Sequence, residues 1–182
     1  MNHVDPQSPV PFVANAARLP QKGLPVTIET DERQRAALAA EHELVSVERY
    51  RAELLVTQWK RNGVKVSGRV EADITQACIV TLDPVAAHID EPIEALFLPE
   101  QSKLGRQGFE GGGEIVLDAD GPDSPETFSG DTIDVGALAE QFFGLAIDPY
   151  PRKAGASLEV SGDGEAEESE FQQKLRSLLG KS

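Results

Sequence analysis

The chain has 182 residues, 40% hydrophobic and only 5% aromatic, which fits one domain with tails on the usual span of ~100–200 residues per domain. One cysteine, Cys78, excludes an internal disulfide and a cysteine-rich zinc site, and no run approaches the ~20 apolar residues that a membrane-spanning helix needs. The net charge of −14 argues against a surface that coats nucleic acid throughout, yet it is uneven: residues 1–106 hold 15 acidic and 12 basic side chains, residues 107–182 hold 16 and 5. The N-terminus has no basic region followed by an apolar run, so no signal peptide is expected and the expected compartment is the cytoplasm.

Residues 1–10, with Pro6 and Pro9, read as a flexible arm. Two short apolar stretches follow, Pro11 to Ala17 and Leu24 to Ile28, divided by the turn region Pro20–Gly23, and both predict strands. Thr30 or Asp31 can cap a helix over Glu32 to Glu43, whose thin apolar face of Ala36, Leu38, Ala39 and Ala40 suits packing at a sheet edge.

Residues 44–82 hold two long β-like runs on either side of Asn62-Gly63, a pair suited to the positive φ of a two-residue type I′ turn. After the turn, Val64, Val66, Val70, Ala72 and Ile74 alternate with polar residues, the period of a strand. With Asn62-Gly63 as the turn, Trp59 faces Val66, Thr57 faces Gly68 and Leu55 faces Val70 on the buried side, so Trp59 is expected in the core. On the other side Lys60 then stands across from Lys65 with Arg69 beside them. Like charges directly opposite are destabilising. Either these residues form a solvated edge that discourages sheet-to-sheet aggregation, or they bind an anion. Across residues 49–69, Arg49, Arg51, Lys60, Arg61, Lys65 and Arg69 stand against Glu53 alone, and these six are the candidates for RNA contact. Trp59 or Tyr50 would stack a base if exposed.

Val85 to Leu98 predicts two strands broken at Asp90-Glu91-Pro92. Residues 100–130, glycine-rich and acidic, predict a flexible loop with one isolated strand at Ile115–Leu117. Asp131 to Pro151 predicts a helix capped by Thr132 or Asp134, with Val135, Leu138, Ala139, Phe142 and Leu145 or Ala146 as its apolar stripe. The acidic segment after residue 155 predicts a disordered tail. In it, Phe171, Leu175, Leu178 and Leu179 recur at helical spacing, read either as an unstructured end or as a short motif that folds on a partner, with Phe171, Leu175 and Leu179 as the docking candidates.

Together these elements predict an α+β fold: a mainly antiparallel sheet or partial barrel with one long hairpin and two packed helices, in a single domain over residues 11–154. No catalytic constellation is present. His3, His42 and His88 are dispersed, and no His-Glu-x-x-His, Gly-x-Ser-x-Gly, phosphate-loop or dinucleotide pattern occurs. Cys78, near a strand end, reads as a buried structural cysteine. An enzyme, a cofactor and a metal are not expected.

Two stretches carry a resemblance. Val66-Ser-Gly-Arg-Val-Glu-Ala-Asp-Ile-Thr-Gln-Ala-Cys78-Ile-Val-Thr-Leu82-Asp-Pro-Val85 and Asp131-Thr-Ile-Asp134-Val-Gly-Ala-Leu-Ala-Glu-Gln-Phe-Phe-Gly-Leu-Ala-Ile-Asp-Pro149-Tyr-Pro151-Arg-Lys resemble the YceD-like family, the large-ribosomal-RNA-subunit accumulation proteins of bacteria and plastids. The likeness spans roughly residues 10–155, and Asp-Pro-Tyr-Pro-Arg-Lys has an alphaproteobacterial flavour. The resemblance implies a non-enzymatic role in making or keeping large-subunit ribosomal RNA, with that RNA or a pre-ribosomal particle as partner and the basic hairpin as the expected contact; the alternative, read from charge, is an adaptor whose acidic loop 107–134 and terminal apolar motif hold a basic ribosomal protein without touching RNA. Many members carry further cysteines that read like a metal site. Here only Cys78 is present, which removes a metal inference for this chain.

Overall fold

In the long hairpin, alternate residues, Tyr50 to Val56 on one arm and Val64 to Ile74 on the other, are small, aliphatic or aromatic, which lets the two arms share one buried face. The computed structural model describes residues 8–60, 62–100 and 125–155. In chain order it shows β1 (Val13–Asn15), a turn of 3₁₀ helix (Ala16–Arg18), β2 (Leu24–Glu29), α1 (Glu32–Glu41), β3 (Ser46–Trp59), β4 (Gly63–Ala77), β5 (Pro84–Pro99), β6 (Glu126–Phe128), β7 (Thr132–Asp134) and α2 (Val135–Ala146). Five strands form an open sheet in the order β2-β3-β4-β5-β6, antiparallel except for the β5–β6 pair, and β1 pairs with β7 in a separate ribbon. The fold is the expected α+β, and the sheet does not close into a barrel.

The hairpin register differs from the expected one. Trp59 pairs with Gly63, Thr57 with Lys65, Val56 with Val66 and Leu54 with Gly68. The connection is therefore three residues, Lys60 to Asn62, with Asn62 in the left-handed region at φ 64 and Gly63 N–H donating to Lys60 O at 3.2 Å. Asn62 takes the positive φ that asparagine tolerates, and Gly63 already belongs to β4. The buried face of β3 is consequently Tyr50, Ala52, Leu54 and Val56, while Leu55 is exposed. Gly68 explains why this register is stable. A Cβ there would lie 2.0 Å from the Glu53 carbonyl oxygen, so the strands approach more closely than any side chain allows.

β5 is one strand of 16 residues, although Asp90-Glu91-Pro92 predicts a break. β6 covers β5 only over Phe97–Pro99. Along the rest of β5 one edge has no strand partner among the described residues, the setting in which a strand tolerates proline.

Asp31 caps α1 in a reciprocal capping box, its carboxylate accepting from Gln34 N–H at 2.8 Å while Gln34 Oε1 accepts from Asp31 N–H at 3.1 Å. Asp134 caps α2 by accepting from Gly136 and Ala137 N–H, each at 3.0 Å. The buried stripe of α2 is Val135, Leu138, Ala139 and Phe143; Phe142 is half-buried and Leu145 is exposed. α1 packs on β3, and α2 on β4 and β5. Val10, at the end of the expected arm, is buried in the same core.

Phe143 centres that core, edge-on to Tyr50 at 5.4 Å and to His42 at 5.1 Å. Burying such a ring contributes about 1.5–3 kcal/mol. His42 Nε2 and Glu140 Oε1 lie 3.2 Å apart and join the end of α1 to α2. The Tyr50 hydroxyl is buried without a hydrogen-bond partner among the described residues, and burial, with Glu140 nearby, holds its pKa far above the ordinary range.

Two stability predictions result. Gly68→Ala forces the strands apart and costs about 3 kcal/mol or more in urea unfolding, at or above the usual overpacking range. Tyr50→Phe removes a desolvated hydroxyl and leaves stability unchanged or raised by about 1 kcal/mol in the same assay; a clear loss would mean that the hydroxyl has a partner.

Candidate functional site

Beyond the bulge between Val47 and Arg49, the odd-numbered residues of β3, with those of β4 from Lys65 onward, project from the face of the sheet opposite the core, and most of the candidate RNA-contact residues lie there. Neighbouring strands supply each with an acid. Arg51 pairs with Glu29 on β2 at 3.1 Å and with Glu53, Lys65 with Glu94 on β5 at 2.6 Å, Arg49 with Glu71 at 3.5 Å, and Arg69 with Asp90 on β5. Hydrogen bonding to Glu53 and to Asp90 raises the pKa of the Arg51 and Arg69 guanidinium groups respectively. Asp73 on the same face meets His88 at 2.6 Å. Exposed pairs of this kind contribute little to stability, because solvent screens them. Their larger effect is on the field: the four cations are matched by Glu29, Glu53, Glu71, Asp90 and Glu94, so the face is a lattice of alternating sign. The expected opposition of Lys60 and Lys65 does not occur, because Lys65 stands across from Thr57.

Lys60 is exposed in the hairpin turn and has no ion-pair partner among the described residues. Arg61 lies outside the described residues, as do Phe171, Leu175 and Leu179 and the expected strand at Ile115–Leu117.

Beside the turn is a cleft of about 580 Å³, lined by Gln58, Trp59, Asn62, Glu100, Phe128 and Asp131 among others. Trp59 is half-buried, not a core residue. The shift in register moves it from a place opposite Val66 to one opposite Gly63, at the end of the sheet. Tyr50, the other candidate for stacking, is only 2% exposed.

At the opposite end of the hairpin, the two stretches that carry the family resemblance meet. Cys78 N–H donates to Asp83 O at 2.8 Å and Leu82 N–H to Cys78 O at 2.9 Å, closing a tight loop in which Leu82 adopts φ 61. The segment after α2 clasps this loop. Gln76 Nε2 donates to Asp148 O at 2.8 Å, Ile79 N–H to Pro151 O at 3.0 Å, Lys153 N–H to Cys78 Sγ at 3.4 Å, and Lys153 Nζ reaches Asp83 Oδ2 at 3.1 Å. Cys78 is buried, as expected. Donors from Lys153, Thr81 and Val80 lower its pKa to about 6, outweighing the opposing effect of burial. The contacts across the clasp are separated by about 70 residues in sequence (72 from Gln76 to Asp148) and have no local signature.

The family model for the large ribosomal RNA subunit accumulation protein YceD matches residues 66–177. The chain belongs to the YceD family. No curated protein and no solved structure matches the chain. The YceD match begins within β4, later than the resemblance read from residue 10, and contains both halves of the clasp. Of the cleft residues, Glu100, Phe128 and Asp131 fall inside the YceD match and Trp59 outside it. Among the described residues no helix is long and apolar enough to cross a membrane, and no group of His, Cys, Asp and Glu is arranged to hold a metal ion.

The clasp predicts a pH signature. A thiol whose pKa is depressed on folding adds stability above its unfolded value, an advantage lost as pH falls through its folded value. Thiolate absorbance at 240 nm in the native chain should rise with a midpoint near pH 6, and native stability should gain from pH 6 towards pH 9 relative to Cys78→Ala. An absorbance midpoint above pH 8 would show that the donors do not act on the sulfur.

Proposed function

We propose that this protein supports the accumulation of large-subunit ribosomal RNA without catalysis, by holding a basic protein component of the pre-ribosomal particle in the cytoplasm. One observation carries the reading: the cations of the sheet face are answered by carboxylates from the adjacent strands, so the face offers no uncompensated positive field to a phosphate backbone. To contact phosphate, Arg49, Arg51, Lys65 and Arg69 must first give up acidic partners. The chain as a whole, with 31 acidic and 17 basic side chains, attracts basic polypeptides and repels bulk RNA. Phe171, Leu175 and Leu179 are proposed as an additional apolar docking motif for such a partner. The YceD family's association with large-subunit RNA supports the ribosomal context.

A second reading is direct RNA contact at the hairpin turn. It is favoured by the half-exposed Trp59 beside Lys60, with Arg61 next in the chain. The two readings part in a single experiment. The tagged full chain is recovered from cells with and without ribonuclease treatment. Under the first reading, one or more large-subunit proteins remain bound after the RNA is digested, and Lys60→Glu with Arg61→Glu leaves their recovery unchanged. Complete loss of ribosomal proteins on digestion, together with loss of RNA crosslinks in the Lys60→Glu, Arg61→Glu variant, would replace it with the second.

A further inference from the structure

We propose that the Trp59 cleft is a binding site for a cationic side chain, arginine above all, presented by a basic polypeptide. The inference rests on the protein-partner reading above and deepens it. Three features of the cleft support it.

The first is an aromatic surface held in place. Trp59 pairs with Gly63, where a Cβ would lie 3.1 Å from Trp59 Cε3 and 2.9 Å from the Phe97 carbonyl oxygen. The absence of a side chain at Gly63 therefore lets the indole lie close over the start of β4. Its remaining surface borders the cleft, where Phe128 adds a second aromatic wall. The second feature is charge. Glu100 and Asp131 line the same cleft, both are exposed, and among the described residues no lysine or arginine lines it. Their backbones are anchored, Glu100 N–H donating to Phe128 O at 3.0 Å and Asp131 O accepting from Ala16 N–H at 2.8 Å, which sets the carboxylates on fixed supports. The third is size. A cavity of about 580 Å³ admits a long side chain together with the backbone that presents it.

An indole face next to carboxylates is a guanidinium site. The planar cation stacks on the ring while its N–H groups donate to the carboxylates, and both interactions act on the same charge. A nucleobase would use the ring equally well, but its phosphates would enter a cleft whose charged lining, among the described residues, is the carboxylates of Glu100 and Asp131. The polar groups thus select between ligands that the tryptophan alone does not distinguish.

Trp59 is the only tryptophan in the chain, so its emission reports on the site directly. The full-length protein is titrated at 150 mM salt with an acetylated hexa-arginine peptide and, separately, with a single-stranded decaribonucleotide. The expected result is a saturable change in Trp59 emission with the peptide. In the Glu100→Gln, Asp131→Asn variant the midpoint moves at least tenfold to higher peptide concentration. A control that removes the same charge from α1, Glu32→Gln with Glu41→Gln, stays within twofold of the native protein. Followed by the anisotropy of a labelled peptide, Trp59→Leu weakens binding about tenfold and Trp59→Phe restores most of it. The proposal is overturned if peptide leaves the emission unchanged, if the α1 control weakens binding as much as the cleft variant, or if the oligonucleotide changes the emission equally in the native protein and the cleft variant. Ribonuclease-resistant recovery of ribosomal proteins that persists in the cleft variant also overturns it while leaving the partner reading intact. Tight, cleft-dependent peptide binding without any such recovery upholds the cleft and removes the partner reading.

Discussion

The close approach of β3 and β4 at Gly68 governs most of what this molecule presents to its surroundings. The contact of that residue with the Glu53 carbonyl locks the two arms of the long hairpin into one register. A strand has a side-chain period of two, so register and surface are the same question. In the observed pairing, Tyr50, Leu54 and Val56 face the helices, and Arg49, Arg51, Lys65 and Arg69 face outward into reach of Glu29, Glu71, Asp90 and Glu94. The same register carries Trp59 to the end of the sheet. An odd-numbered slip would exchange the faces of one arm, burying charge and exposing the core.

Around this hairpin the remaining elements serve two ends of the sheet. At one, the turn, the end of β5 and the connection between β6 and β7 enclose a cleft that combines an indole with carboxylates. At the other, the segment after α2 folds back on the Cys78 loop through backbone and side-chain hydrogen bonds. The clasp ties the second half of the chain to β4, and with it the α2 stripe whose Phe143 packs between Tyr50 and His42. These contacts lie in the part of the chain that the YceD family model covers.

Charge has two roles here, and they differ in scale. Exposed pairs on the sheet face contribute little to stability, since solvent screens them and ordering long side chains costs entropy. They matter because they erase a field. A basic run of sequence attracts anions only if it stays uncompensated in three dimensions, and here the adjacent strands return a carboxylate to each arginine or lysine on the face. The acid excess elsewhere then sets the sign that an approaching partner meets.

Much of the architecture is legible from local pattern. The period of two in β4, the Asp31 and Asp134 caps, the apolar spacing of α2 and the two motif stretches each follow from residues close together in sequence, and they suffice for the fold class and the family. The hairpin register is not legible in this way. Asn62-Gly63 is compatible with a two-residue or a three-residue connection, and the choice was made by the Gly68 approach several residues away. Nor does local pattern reveal that Pro92 can sit within a continuous β5, since that depends on how the strand is paired on each side. Sequence by itself determined the two hairpin strands and the two helices, because hydrogen bonding and burial impose their periods locally, whereas β6 falls in an expected loop and β7 at the start of an expected helix. Only the tertiary structure decided which acid meets which base, where Trp59 lies and what Cys78 touches, because each of those outcomes depends on strands that come together across the chain.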